Sequence, residues 1–112
     1  FEKGYVSTSN KPRLVREIFR LLDEGESWLR EHNQLTPERL QAANQMRFNM
    51  ARKDWRNNRR RSLEIMARIR QSDPRFVPDP GPEAPAAYRL CYRLLGFSGA
   101  EQIAGLKRRW AP

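Results

Sequence analysis

The stretch TPERLQAANQMRFNMARKDWRNNRRRSLEIMARIRQSDPRF, residues 36–76, decides the fold. Thr36 is a good N-cap, its hydroxyl able to accept from an orphan helix N–H, and Pro37 suits the first helical position, where no N–H is needed. Leu40, Ala43, Met50 and Ala51 recur at helical spacing, and Phe48 and Trp55 widen that apolar face. Asn57 and Asn58 interrupt the pattern. Beyond them Leu63, Met66 and Ile69, with the adjacent Ile65, form a second stripe. Ser72-Asp73-Pro74 stops it, because proline cannot continue a helix, and Phe76 and Val77 are expected to fold back as an apolar plug. One uninterrupted helix through the asparagines is the competing reading; the hairpin is favoured.

At 112 residues, 38% of them hydrophobic and 31% charged, the chain has room for one modest core. An enzyme with a separate substrate domain would not fit. No run is long and apolar enough for a membrane span, and the amino end FEKGYVSTSN lacks a signal-peptide pattern. It also lacks an initiator methionine, so a piece of a longer protein is expected. The single cysteine, Cys91, has no internal disulfide partner, which fits a cytoplasmic setting. Among Tyr88, Leu90, Leu94 and Leu95 it reads as a small buried hydrophobe, far in sequence from the only histidine, His32.

Upstream, residues 1–10 read as extended or loosely ordered, with Tyr5 and Val6 able to pair with a preceding strand. Pro12 opens a helix with Leu14, Ile18, Leu21 and Leu22 on one face, widened by Val15 and Phe19 and continued by Trp28 and Leu29. Gly25 is a place for it to bend or end. His32, Asn33 and Gln34 connect to Thr36. Downstream, PDPGPEAP at 78–85 has four prolines in eight positions and reads as a stiff spacer. It lacks the flanking basic residues of many proline-rich ligands. A helix from 85 or 86 carries Ala87, Leu90, Cys91, Leu94 and Leu95 as its expected buried stripe, with Tyr88 and Tyr92 alongside and Gly96 as its stop. Ser98 and Glu101 then have capping-box spacing, with Phe97 as a staple. The last helix runs through Ile103, Leu106 and Trp110. The fold class is therefore all-α: about five helices, with a central hairpin, a Pro-rich linker and a C-terminal helix pair. The expected organisation is 1–77, 78–85 and 86–112 within one small domain.

No Cys/His cluster with metal spacing, Gly-rich phosphate loop or Ser-His-Asp arrangement occurs, so no catalytic residue, metal site or cofactor is assigned. What stands out is charge. Residues 1–35 balance six basic against six acidic groups, whereas 36–76 carry eleven against four and 77–112 five against three. The net is +9. Such a field draws polyanions or acidic membrane surfaces. Arg52, Lys53, Arg56, Arg59, Arg60 and Arg61, with Lys107, Arg108 and Arg109, are the candidate contacts. Arg52, Arg56 and Arg60 fall four apart, one face of a continuous helix but a split row if the chain breaks at the asparagines. Trp55 and Phe48 offer rings for stacking on bases, but both also sit at core-compatible positions. The second helix of the hairpin has no asparagine, and its only glutamine, Gln71, is at its end, so it makes a weak recognition helix.

MARKDWRNNRRRSLEIMARIRQSDPRFVP, residues 50–78, resembles a tetratricopeptide-like hairpin, in which a polar turn leads to a helix closing on Asp-Pro. Ser62 and Ile69 then fall where small residues are usual, and no second copy follows. AYRLCYRLLGFSGAEQIAGLKRRW, residues 87–110, together with the hairpin, looks like the helical C-terminal tail of some bacterial family 2 glycosyltransferases, which have a GT-A catalytic domain. YVSTSNKPRLVREIFRLLDEG at 5–25 is similar to the segment that follows that domain. The resemblance implies that the nucleotide-sugar site, DxD metal motif and base lie upstream; this chain has no DxD. It implies a non-catalytic module that packs on the upstream catalytic domain or a protein partner, makes oligomer contacts or meets an acidic membrane surface. The rival readings are a small basic nucleic-acid-binding protein and an adaptor whose grooves receive a peptide or helix.

Overall fold

A computed structural model describes the backbone of residues 4–110 and the side chains of residues 13–108. Four helices follow in order: α1 (Gly4–Glu31), α2 (Pro37–Asp54), α3 (Arg59–Ser72) and α4 (Ala86–Trp110). Among the described residues the only strand-like pairing is an isolated bridge between Gly81 and Ala84. No helix there is long and apolar enough to cross a membrane. The chain divides into two compact units, Phe1–Ala43 and Asn44–Pro112, the boundary falling inside α2.

In the first unit α1 begins at Gly4, ahead of Pro12, so residues 4–10 are helical where an extended segment was expected; residues 1–3 lie outside the described residues. The helix also runs straight through Gly25. Glycine lowers helix propensity by about 1 kcal/mol, too little to end a helix that continues on both sides. It ends where Asn33 takes a left-handed φ of 57° and Gln34 N–H reaches back to the Leu29 carbonyl at 2.7 Å. Val15, Ile18, Phe19, Leu22 and Leu29 are half-buried, whereas Leu14, Leu21 and Trp28 are exposed. Thr36 caps α2 as its sequence predicts, Oγ1 accepting from Arg39 N–H at 3.1 Å.

The second unit contains the turn of the hairpin and the parts of both helices next to it. α2 stops at Asp54, and Asn58 caps α3 by accepting from Arg61 N–H. The two-helix reading of residues 36–76 therefore holds. Arg61 straps the turn with a two-pronged grip on Asp54, at 2.7 and 2.9 Å. Where the helices cross, Ser62 Oγ donates to the Ala51 carbonyl at 2.6 Å, and both residues are wholly buried. A hydroxyl small enough to fit and able to satisfy that carbonyl takes the place expected of Leu63, which is exposed. Ile65, Met66 and Ile69 fill the rest of the stripe.

Phe48 is the centre of the core. Its ring, fully buried, meets Phe76, Tyr88, Tyr92 and Phe97 at centroid distances of 5.9 to 6.1 Å, mostly edge to face. Trp55 meets Phe97 edge-on at 5.5 Å. Phe76 is thus the plug its position after Pro74 foretells. The proline-rich segment, expected as a stiff spacer, packs on its neighbours: Pro78 and Ala84 are buried, Asp79 N–H donates to Gln45, and the Glu83 carbonyl accepts from Arg52. α4 kinks at Gly96, whose φ of 79° glycine alone adopts without strain, so the expected helix pair exists as two arms.

The first arm, residues 86–95, turns the other way from expectation. Tyr88 is buried and Tyr92 half-buried, while Leu90, Leu94 and Leu95 are 59%, 73% and 57% exposed and Cys91 is half-buried. Two residues along a helix is about 200° around it, so seating Tyr88 turns Leu90 outward. Tyrosine wins the inward position because its ring packs on Phe48 and its hydroxyl donates to Glu101 at 2.7 Å. In the second arm Phe97, Ala100 and Glu101 are buried, and Ile103 and Leu106 are largely exposed; the side chains of Arg109 and Trp110 lie outside the described residues.

Candidate functional site

The structure sorts eight of the nine candidate basic residues into different kinds; the side chain of Arg109 lies outside the described residues. Arg52 belongs to the interior. Its Nε donates to Glu101 Oε2, its Nη1 to the Glu83 carbonyl at 2.7 Å, and its guanidinium lies 4.0 Å over the Tyr88 ring. Glu101, spaced from Ser98 as a capping partner, has a side chain only 1% exposed and gives Oε2 to both Arg52 and Tyr88. Burial first, then the hydrogen bond to Glu101, push the Tyr88 phenol well above its ordinary pKa, so it remains a donor. Arg61 is committed to Asp54, whose hydrogen bonds raise the guanidinium pKa further. Arg60 makes only a loose pair with Glu64, 3.5 Å apart on the surface, and Lys53 is exposed. The break at the asparagines splits the row of Arg52, Arg56 and Arg60.

Arg56, Arg59 and Arg108 do come together. They line a cleft of about 580 Å³ between the hairpin turn and the second arm of α4, with Trp55, Glu101, Gln102, Gly105 and Leu106. The Arg59 guanidinium sits 4.2 Å over the Trp55 ring, a cation–π contact worth about 0.5–1 kcal/mol at an exposed site. Among the described residues Arg56 and Arg108 have no acidic partner. Lys107 lies on a second, smaller groove of about 280 Å³, mostly apolar, which Arg108 also borders. Pro82, Pro85, Ala87, Cys91 and Ile103 are among its walls.

Two interior groups escaped sequence reading. Arg47 and Asn44 are wholly buried on α2, Arg47 donating to Asn44 Oδ1 at 2.8 Å and Ser72 Oγ to the same oxygen at 3.1 Å. The signal available was spacing: 44, 48, 51 and 55 make a better helical stripe than the apolar residues alone. Phe48 and Trp55, 0% and 5% exposed, are core rings and present no stacking platform. No group of three or more potential metal ligands occurs among the described residues. Compared with protein-family models, curated proteins and solved structures, the chain has no match.

Proposed function

We propose that this chain is a non-catalytic helical module that docks onto protein through the first arm of α4. The remainder of a larger bacterial glycosyltransferase, in the cytoplasm, is the partner that the sequence resemblance nominates. One observation carries this reading: Leu90, Leu94 and Leu95 are more than half exposed on a helix with a well-packed opposite side. Exposing leucines on a helix whose fold is already secured leaves apolar area that contact with another protein would remove from water. Residues 86–95 include Arg89 and Arg93 and no acidic residue, so the matching surface is apolar with acidic edges. Nucleic-acid binding is less well supported, since the rings that would stack on bases are interior and Arg52 and Arg61 are already engaged.

The test is a photo-crosslinking amino acid at position 94 in the protein as its native host makes it, with the joined peptide identified by mass spectrometry. A link to a catalytic-domain peptide of the same polypeptide is the expected result. Links to lipid or nucleic acid alone would overturn the reading, and a link to an unrelated protein would keep the docking role while removing the glycosyltransferase.

A further inference from the structure

The cleft beside the hairpin turn breaks three local rules at once. First, α3 opens with Arg59, Arg60 and Arg61 and has no acidic residue in its first turn. Cations there face the positive end of the helix dipole, which disfavours each of them. Asp54 offsets Arg61 and Glu64 partly offsets Arg60, but Arg59 has only the Trp55 ring. Second, Arg56 and Arg108 bring two more guanidinium groups to the same cleft without a carboxylate partner among the described residues. The nearby Glu101 does not supply that charge, because its side chain is buried and paired with Arg52. Third, Gly105 sits inside a helix, where alanine is the better helix former. Packing accounts for Gly99, where an added Cβ would fall 2.5 Å from Leu95 Cβ. At Gly105, beyond the adjoining residues and the helix's own backbone, the nearest atom to an added Cβ is Arg108 Nη2, 4.0 Å away. Glycine is therefore not needed there for packing; its effect is to leave the cleft wall open beneath the Arg108 guanidinium.

We propose that this cleft binds a small anion carrying two or more phosphate groups, held by Arg56, Arg59 and Arg108. Planar guanidinium forks match phosphate oxygens two at a time, and three positive charges around one cleft suit more than a single phosphate. The volume lies in the range of small-ligand sites. Trp55 is 5% exposed and covered by Arg59, so the site grips phosphates without stacking on a base. The group arrives either on a soluble molecule or on a lipid headgroup.

The test titrates inorganic pyrophosphate into the full 112-residue chain at low salt, by calorimetry and by amide chemical shifts. Shifts are expected at residues 56–60 and 102–108. Arg56→Ala, Arg59→Ala and Arg108→Ala should each weaken binding about tenfold, the loss of one charged hydrogen-bonding group. Gly105→Leu, which changes no charge, should also weaken it about tenfold by filling the cleft, with thermal melts confirming the fold. Lys53→Ala and Arg60→Ala, outside the cleft, should stay within about twofold, as surface charges contribute little. Vesicles of phosphatidylcholine doped with a phosphatidylinositol bisphosphate, a headgroup with more than one phosphate, form the second arm. Pyrophosphate binding without vesicle binding assigns a soluble ligand; vesicle binding lost in the cleft variants assigns a headgroup. No binding in either arm overturns the proposal, as does equal loss from Lys53→Ala and Arg56→Ala, the mark of a diffuse field.

Discussion

Around Phe48, arginine is building material: Arg47 is wholly buried and Arg52 is held by a carboxylate, a carbonyl and a phenol ring. At the turn, four residues beyond Arg52, Arg56 stays in water, and Arg59 rests only on an indole. The two regions share a residue type and almost a stretch of sequence, yet differ in what each side chain must satisfy. Inside, a guanidinium must find partners for its donors or destabilise the fold. Outside, water serves, and the positive charge remains for something else to use. A count of basic residues merges these two populations; geometry separates them.

That division predicts very unequal sensitivity to substitution. Glu101→Ala leaves Arg52 without its carboxylate in a largely buried position and Tyr88 without its acceptor. A loss of about 3–5 kcal/mol is expected, read as a lowered midpoint in urea unfolding. Arg52→Ala should lose a similar amount, and the double variant much less than the sum, because each single change strands the other partner. Additive losses would mean that the buried cluster is not a unit. Phe48→Ala, by removing the ring that four others touch, belongs in the same range of about 3–5 kcal/mol.

The alkaline limb of stability tests the same interior. Burial raises the phenols of both Tyr88 and Tyr92 in the folded state. Below the unfolded tyrosine pKa of about 10 the contribution is intact. As pH rises past that value the unfolded chain gives up these protons while the folded chain keeps them, so stability falls, by up to about 1.4 kcal/mol per pH unit for each phenol. The decline ends only once pH passes the folded values. Tyr88→Phe should flatten part of that slope in unfolding curves taken between pH 9 and 11, and an unchanged slope would place the titration elsewhere.

The hairpin was legible in the sequence because its signals are local. Thr36, Asn58 and Pro74 act on their own few residues, as Gly96 does in α4, and the structure finds each doing what its chemistry favours. The first arm of α4 misled because period alone does not say which stripe is core. Leucines at 90, 94 and 95 look more apolar than tyrosines at 88 and 92. The tyrosines win through partners distant in sequence, Phe48 and Glu101, which no local pattern reveals. The cleft escaped for the same reason: Arg56 and Arg108 are 52 positions apart in the chain, and only the packing of α4 against the turn unites them.

Between interior and cleft stands Asp54. It ends α2, where the dipole disfavours a carboxylate, and Arg61 from the next helix offsets it with two hydrogen bonds. The Arg61 side chain is 32% exposed, so water shares the load when the pair is broken. Asp54→Ala should therefore destabilise by about 1 kcal/mol, well below Glu101→Ala, with raised salt narrowing the difference from the native chain. A loss as large as that of Glu101→Ala would mean that the turn is sealed from water as the core is.

Arg59→Gln is the smallest effect and the sharpest division. It removes a cation from the positive end of α3, which stabilises, and removes the cation–π contact with Trp55, which destabilises. Each is worth about 0.5–1 kcal/mol, so the thermal midpoint should barely move. The environment of Trp55 should nevertheless change, and near-ultraviolet circular dichroism should report it. If stability instead drops by about 2 kcal/mol or more, beyond the range of surface substitutions, Arg59 is part of the core's construction like Arg52. The boundary between the two populations of arginine would then lie beyond the turn, and the cleft would keep only Arg56 and Arg108 for a ligand.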